Sequence, residues 1–527
     1  MPLPQNIRCK TMAPFKAYLS AFLEKINYVE THWDIASFQN YEIKIWPLIR
    51  LSFASLWQEK ERGIISQGFE QSHRIKKPKW IHASPIRSLR RVWAKKCGFF
   101  FGKQQARFWN NGTWGVLLTS SKMEKAGERH MFFDPLKSFL DPKNKSLNIY
   151  WNDLLYWNDA CIKTEIKDSL SPLLVKAAQI SKHFSAPISE KEKQRIEEIK
   201  KYLGLGRLDI VEIKKQAGFI LALSHILEGA LYKKGIQAFY LICFYQPVCF
   251  AFALACRRLK IPCVEFQHGQ QGDSHFMYSR WENYPKGGYE IIPSDFWCWG
   301  EMSAVRFRQW AEKGGSHRVW VGGSPKLAAV ISDPLLPYKP RKWNRPIQKA
   351  LVCLQFTELP DFVWESINES PEIVWLIRLH PRFAGEAESF QALCRQKIKP
   401  TSKWELEGAT KGNYYELLRE VDIQLTGWST TAYEALSFEV PTILIHANGA
   451  ETMKEFVQAG TFKYAGDSKT LLNCLRNPAF EAPKGEPYIK TDSLGIKETF
   501  ENILIKGNNS LDTKHPKSYF LKSTGQK

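Results

Sequence analysis

Three short stretches of the chain combine residue types that can hold an anion or move a proton. The first is Arg378-Leu379-His380-Pro381-Arg382. A proline confines the residue before it to extended geometry, so the His380 imidazole leaves the chain at a fixed angle, flanked by two arginines. The second is Thr426-Gly427-Trp428-Ser429-Thr430-Thr431-Ala432-Tyr433-Glu434. Three hydroxyl residues follow a glycine at the start of a helical pattern. Unpaired backbone N–H groups and the positive helix end favour an anion there. Glu434 lies one turn further on, with a carboxylate suited to ribose hydroxyls. The third is Glu265-Phe266-Gln267-His268-Gly269-Gln270-Gln271-Gly272-Asp273-Ser274-His275. His268 follows a strand pattern between a glutamine and a glycine, where it can serve as a general base or meet an acceptor or a phosphate. Each stretch also has an ordinary reading: Ser and Thr are common helix caps, and a loop histidine needs no function. Position raises them above that reading. Ligands of open parallel sheets bind at the carboxyl ends of strands. The first two motifs are expected to close neighbouring strands of one sheet and to face one cleft.

Other chemistry is not called for. No Asp-x-Asp pair, Walker-type lysine loop or GxGxxG after a strand occurs, so no metal site is implied. The 11 cysteines include no CxxC pair, which argues against zinc of the usual spacing. Cys243, Cys249, Cys256 and Cys263 fall on a very apolar segment and read as buried reduced thiols, in keeping with a cytosolic compartment. Met1 to Lys25 has no apolar core after a basic start, so no secretory signal is expected.

The elements that would position these motifs alternate. Strand patterns at Gly115–Ser120, Ala238–Phe244, Pro262–Phe266, Phe296–Gly300 and Val319–Gly323 are interleaved with helical ones, including 190–203, 209–233 and a helix opening at Pro247. Gln237–Cys256 carries no charge over about the length of a bilayer span. Tyr245-Gln246-Pro247 interrupts it, however, and a buried strand, a turn and a helix are expected. The proline-rich stretch Asp333–Gln348 reads as a linker. The alternation then restarts, with strands at 350–356, 373–379, 422–425 and 441–446 and helices at 359–367, 386–396, 414–421, 429–438 and 452–458. The expected fold class is α/β, with two Rossmann-like doubly wound lobes and a helical basic N-terminal extension. The expected boundaries are 1–110 for the extension, 111–332 for the first lobe, 333–348 for the linker, 349–505 for the second lobe and 506–527 for a disordered basic tail.

Charge adds a partner class. With 74 Lys+Arg against 53 Asp+Glu, the formal net charge is +21, which favours polyanions or phosphorylated substrates. Gln71 to Met123 holds no acidic residue, and Trp80, Trp93, Phe99, Phe100 and Phe101 are interleaved with its basic side chains. The functional reading is a surface held near anionic lipid; the ordinary one is a solvated basic face. No zinc-finger, RNP or basic-zipper pattern supports nucleic-acid binding.

Gln267-His268-Gly269, Trp299-Gly300-Glu301, Gly323-Ser324-Pro325, His380-Pro381 and the Ser429–Glu434 helix occur in that order, preceded by Ser120-Ser121 and Phe133-Asp134-Pro135. Over residues 114–480 the set resembles bacterial GT-B-fold surface-polysaccharide glycosyltransferases of the capsule-biosynthesis type. The HP and S/T motifs are similar to those of CMP-sugar-dependent sialyl- and Kdo transferases. The resemblance implies a nucleotide-sugar donor, bound as substrate and not as cofactor, in the C-terminal lobe, and a glycan or glycolipid acceptor facing the other. His380, Ser429 and Thr430 would then bind the donor phosphate, with Arg378, Arg382, Gly427 and Thr431 around it. Glu434 matches the ribose position of UDP-sugar enzymes, which leaves CMP and UDP both open. Gln267, Gly269 and Ser120 would line the acceptor side. The acidic base motif of some CMP-sugar families is absent, which makes His268, with Asp273 behind it, the candidate base. A polyol-phosphate transferase and a non-catalytic polysaccharide-export protein are the rival expectations. A cytoplasmic location, peripheral on the inner membrane face, follows from the same reading.

Overall fold

The computed structural model describes residues 15–69, 115–119, 136, 146–150, 171–206, 208–233, 236–271, 275–333, 343, 345–355 and 357–511. The basic stretch 70–114 and most of the proline-rich linker lie outside these residues.

The first two strands, β1 (Gln39–Asn40) and β2 (Ile43–Lys44), form an antiparallel ribbon that turns at Tyr41 with a φ of +51°. Among the described residues two six-stranded sheets follow. The first contains β3 (Gly115–Thr119), β4 (Ser146–Tyr150), β5 (Ala238–Leu241), β6 (Cys263–Phe266), β7 (Asp295–Cys298) and β8 (Arg318–Val321), in the spatial order β4-β3-β5-β6-β7-β8. The second contains β9 (Lys349–Cys353), β10 (Val374–Arg378), β11 (Lys403–Glu405), β12 (Ile423–Thr426), β13 (Thr442–Leu444) and β14 (Phe462–Tyr464), in the order β11-β10-β9-β12-β13-β14. Every pairing in both sheets is parallel. The second sheet has the 3-2-1-4-5-6 order of dinucleotide-binding folds, and the first the 2-1-3-4-5 order extended by one strand. The fold is therefore two Rossmann-like doubly wound lobes.

Local signals account for many boundaries. Helix Glu190–Leu203 begins with a full capping box between Ser189 and Glu192 and ends at Gly204 with φ +65°. Helix Pro247–Arg258 carries its proline in the first turn, where the missing N–H costs nothing. Val248 to Cys256 are all buried, so the uncharged segment is core. Among the described residues no helix is long and apolar enough to cross a membrane.

Two segments pack differently from their sequence grouping. Helix Ser493–Leu511 runs through the expected boundary at 505. Its Ile496, Phe500 and Ile503 pack against Ala238, Tyr240, Val264 and Trp297 of the first sheet, with Phe500 stacked on Tyr240 at 5.6 Å. The chain thus crosses back onto its first lobe. The N-terminal helices Phe15–His32 and Trp46–Phe69 likewise share that lobe's core: Ile26, Val29, Trp46, Ile49 and Phe53 belong to one buried cluster with Phe239, Leu241, Phe250 and Phe252. The expected helix 452–458 is two short ones, Ala447–Thr452 and Lys454–Gln458, which meet at Met453.

A buried ion pair fastens the N-terminal helices. Arg50 Nη1 donates to Glu30 Oε1 at 2.5 Å, and both side chains are sealed from solvent. Arg50 also donates to the carbonyls of Phe276 and Arg280 and to Ser279 Oγ, while Glu30 accepts from Trp46 Nε1 and the Glu282 N–H. Burial outweighs the arginine and raises the Glu30 carboxyl above its usual range. Removing one member strands the other charge in an apolar core, which costs about 3–5 kcal/mol. Glu30→Ala and Arg50→Ala should each lower the unfolding free energy by that order, and Glu30→Met/Arg50→Met by much less than the two losses summed. Additive losses in chemical denaturation would show that the pair is not coupled.

Candidate functional site

The carboxyl ends of the two sheets meet. Gly269, in the loop after β6, faces Thr430: a Cβ at Gly269 would lie 3.8 Å from Thr430 Cγ2. Next to it, Gln270 Nε2 donates to Tyr433 Oη at 3.0 Å and to the Thr452 carbonyl at 3.3 Å. Arg306 and Glu455 pair across the lobes at 3.0 Å. The crossover segment completes the seam, because Tyr488 stacks on Tyr433 at 3.9 Å and the Lys490 N–H donates to the Trp299 carbonyl at 2.8 Å.

On the C-terminal side, β9 lies between β10 and β12. The His380 and Ser429 motifs therefore do not close neighbouring strands; each flanks the strand in the middle. The strand order reverses between β9 and β12, and that is where the crevice of such a sheet opens. Gln355, after β9, accepts from the Trp428 N–H at 2.8 Å. A Cβ on Gly427 would come within 3.0 Å of that same Gln355 oxygen, and one on Gly449 within 2.0 Å of the Gly427 carbonyl. The loop 427–430 is thus packed tightly, with Gly427 against the Gln355 side chain and Gly449 against the Gly427 backbone, where a Cβ has no room.

The backbone N–H groups of Ser429 and Thr430 have no partner among the described residues. Ser429 Oγ accepts from the Thr431 N–H at 3.3 Å, and Thr430 is the N-cap without a side-chain capping bond. The following helix, Thr431–Leu436, has six residues, so its dipole is small and the local N–H groups carry most of any pull on an anion. Glu434 is half-buried, with Oε1 accepting from Tyr415 Oη at 2.8 Å. His380 is exposed at the end of β10 and is followed directly by a 3-10 turn, Pro381–Glu386.

Other expected donor residues face elsewhere. Arg378 donates to the carbonyls of Ala409 at 2.5 Å and Gly412 at 2.8 Å, so its guanidinium closes a neighbouring helix end instead of reaching the crevice. Thr431 Oγ1 is buried with no oxygen or nitrogen partner, against the Cys353 thiol. The Arg382 side chain, Asp273 and Ser120 lie outside the described residues.

On the N-terminal side, Gln267 is buried and fully used. Its oxygen accepts from the Trp299 N–H at 2.7 Å, and its nitrogen donates to the Gly269 carbonyl at 3.1 Å and Ser303 Oγ at 3.2 Å. It shapes the loop and does not line the cleft. His268 is 22% exposed, with Nδ1 3.7 Å from Glu265 Oε1 and Nε2 3.1 Å from Cys243 Sγ. Glu265 is therefore the carboxyl that the structure puts behind His268. It accepts from the Cys243 and Phe244 N–H groups and from Tyr278 Oη at 2.5 Å. Burial still dominates and pushes this carboxyl up to about 8.

The sequence motifs do not include His446, which the fold brings beside them. It caps helix Ala447–Thr452, with Nδ1 accepting from the Asn448 N–H at 3.0 Å, and its ring lies 4.6 Å from that of Trp428. Burial lowers its pKa. A neutral ring whose Nδ1 accepts must carry its proton on Nε2, so His446 presents a donor beside the Gly427 loop. Among the described residues, no group of three or more His, Cys, Asp or Glu side chains could hold a metal ion.

The sequence matches no family model and no curated protein. Among solved structures it is similar to UDP-GlcNAc 2-epimerase from Methanocaldococcus jannaschii (14% identity, covering 75% of this chain and 99% of that one, TM-score 0.43). It is also similar to UDP-GlcNAc 2-epimerase from Neisseria meningitidis (14%, 74% and 100%, TM-score 0.41) and to the glycosyltransferase SnogD from Streptomyces nogalater (12%, 76% and 96%, TM-score 0.31). These likenesses are too distant to bear on function, and the two-lobed architecture rests on strand order and register.

Glu265 links this site to pH. Its folded pKa of about 8 lies above the unfolded carboxylate value of about 4.3. Between these values the folded chain keeps a proton that the unfolded chain releases. The stability it lends is thus full below the unfolded value and is lost as pH rises toward 8. Glu265→Gln should flatten the fall in urea midpoint between about pH 4.5 and pH 8; an unchanged slope would contradict a protonated Glu265.

Proposed function

We propose that this chain is a glycosyltransferase that moves a sugar from a nucleotide-linked donor, seated in the C-terminal lobe, to an acceptor hydroxyl presented by the N-terminal lobe. The observation that carries this reading is the approach of Gly269 to Thr430, because it brings two complementary loops together. One offers the unpaired N–H groups of Ser429 and Thr430, and the other offers His268 backed by a buried carboxyl.

Each loop has a role in the chemistry. The acceptor hydroxyl gives its proton to His268 as its oxygen bonds to the sugar's anomeric carbon. The bond from that carbon to the phosphate oxygen breaks, and negative charge develops on the leaving nucleotide. Preorganised N–H groups stabilise such charge better than mobile water does, and in most enzymes no other effect lowers the barrier as much. Ser429, Thr430 and His380 take that part, with the His446 Nε2–H as a further donor. Glu434, pinned on one oxygen by Tyr415, holds the ribose with the other. Donors carrying CMP and UDP both suit this arrangement.

The substrate class follows from the resemblance and the charge pattern: a surface polysaccharide or glycolipid, with the basic region 71–123 keeping the enzyme beside an anionic inner membrane face. No metal has a role in this scheme.

His268→Ala should lower kcat by about 10²- to 10⁴-fold with little change in donor affinity, as loss of a general base does. His380→Ala should weaken donor binding; unaltered binding and turnover would dismiss the phosphate assignment. Thermal shift against CMP-, UDP- and GDP-sugars identifies the donor, and no shift with any of them would count against the whole reading. Linkage analysis of the product should find a new glycosidic bond. A phosphodiester would favour polyol-phosphate transfer, and an epimerised donor released without acceptor would rule out transfer.

A further inference from the structure

The cleft holds one reactive group that the proposed transfer leaves unused. Cys243 follows β5, and its sulfur lies 3.1 Å from His268 Nε2. The other ring nitrogen lies 3.7 Å from Glu265. Thiol and imidazole stand at hydrogen-bond distance, the pairing in which an adjacent base activates a nucleophile; the other ring nitrogen faces the Phe266 carbonyl at 3.4 Å, with the buried carboxyl just beyond. The backbone supports the same geometry. Cys243 has a φ of +59°, a region that a residue with a Cβ occupies only when its surroundings hold it there. The hold is visible: the N–H groups of Cys243 and Phe244 both donate to Glu265, at 3.2 and 3.1 Å. The carboxyl behind the imidazole therefore also aims the thiol.

Other cysteines contrast with it. Cys249, Cys256, Cys263, Cys298, Cys353 and Cys394 are buried, and burial raises the thiols of Cys249, Cys263, Cys353 and Cys394. Thiols in such surroundings stay protonated and inert. Cys243 is half-buried, in the loop after β5 beside His268.

We propose that Cys243 is an activated thiol, with His268 as its proton acceptor, open to covalent modification by soft electrophiles that enter the cleft. In the step, sulfur bonds to the electrophilic carbon, the bond to the leaving group breaks and that group departs with the electron pair, and the thiol proton rests on His268 Nε2. With iodoacetamide the leaving group is iodide. The new thioether then sits against the imidazole, so modification also silences the proposed transfer. Only this consequence rests on the glycosyltransferase reading.

The groups facing the sulfur come from every neighbouring element: Tyr245 from its own loop, Cys249 from the next helix, Glu265 and His268 from β6 and its loop, and Tyr278 from the loop beyond. Burial keeps Tyr245, Tyr278 and Cys249 neutral. Glu265 is largely protonated at neutral pH and does not oppose a thiolate. Among these groups the His268 imidazole, at 3.1 Å from the sulfur, is the base that can take the proton.

The test labels the full chain with iodoacetamide between about pH 5 and pH 9 and follows each cysteine by peptide mass spectrometry. The labelling midpoint of Cys243 should fall below the ordinary thiol value of about 8.5, and His268→Gln should return it toward that value. Half-buried Cys474 is the internal reference, labelled about tenfold more slowly at pH 7. A wild-type midpoint at or above about 8.5 overturns the proposal without reference to any variant, as does a midpoint that His268→Gln leaves in place. In a separate arm, loss of sugar transfer should track labelling of Cys243 and be absent in Cys243→Ser relative to its own untreated rate. Failure to detect any transfer would strike the proposed function while the labelling result stands.

Discussion

A seam of hydrogen-bonded side chains holds the carboxyl ends of the two sheets together, and the opposed loops at Gly269 and Thr430 take their positions from it. Gln267 ties the loop after β6 to Trp299 and Ser303. Ser303 meets the Tyr488 hydroxyl, Tyr488 stacks on Tyr433, and Tyr433 accepts from Gln270. Burial makes such groups costly to leave unpaired, so the network has few alternative arrangements once its members are in place. Gly300 fits beneath the seam because it has no Cβ: one there would approach the Tyr488 carbonyl to 2.4 Å.

The crossover back to the first lobe reinforces this constraint. Lys490 hydrogen-bonds with the loops after β7 and β8 through Trp299 and Ser324, and the helix beyond packs on the first sheet. The second lobe is therefore held to the last helix of the first lobe, through Arg419 on the Val330 carbonyl, and again at its end. A cleft anchored at both edges keeps the two loops opposed even though each loop is short.

Much of this architecture is legible in the sequence, and the failures have a common cause. Central parallel strands are buried on both faces and read as apolar runs; β5, β6, β9, β10 and β12 all announce themselves this way. Within the two large sheets the strands that escape notice, β4, β11 and β14, are sheet edges. Two of them have only three residues, too few to establish a period. Site residues follow a similar rule. Residue type and strand-end position single out His268, His380, Ser429 and Thr430 as candidates, but not which way a side chain turns. Arg378, Gln267 and Thr431 look equally functional in one dimension and are spent inside the fold. Gln355 and His446 look ordinary until strand order places their loops beside Gly427. Glu265 sits inside a strand pattern, where a carboxylate is easily taken for an edge residue; its importance comes from burial, which only the folded chain reveals.

The N-terminal helices illustrate how such burial transmits position. Arg50 bonds the carbonyls of Phe276 and Arg280, bracketing Tyr278, whose hydroxyl donates to Glu265. Glu265 in turn stands behind His268. Helix Phe15–His32, which supplies Glu30 to the same pair, also lies against Ala447–Thr452 of the second lobe, the helix that His446 caps. These helices therefore brace both halves of the candidate site from one side.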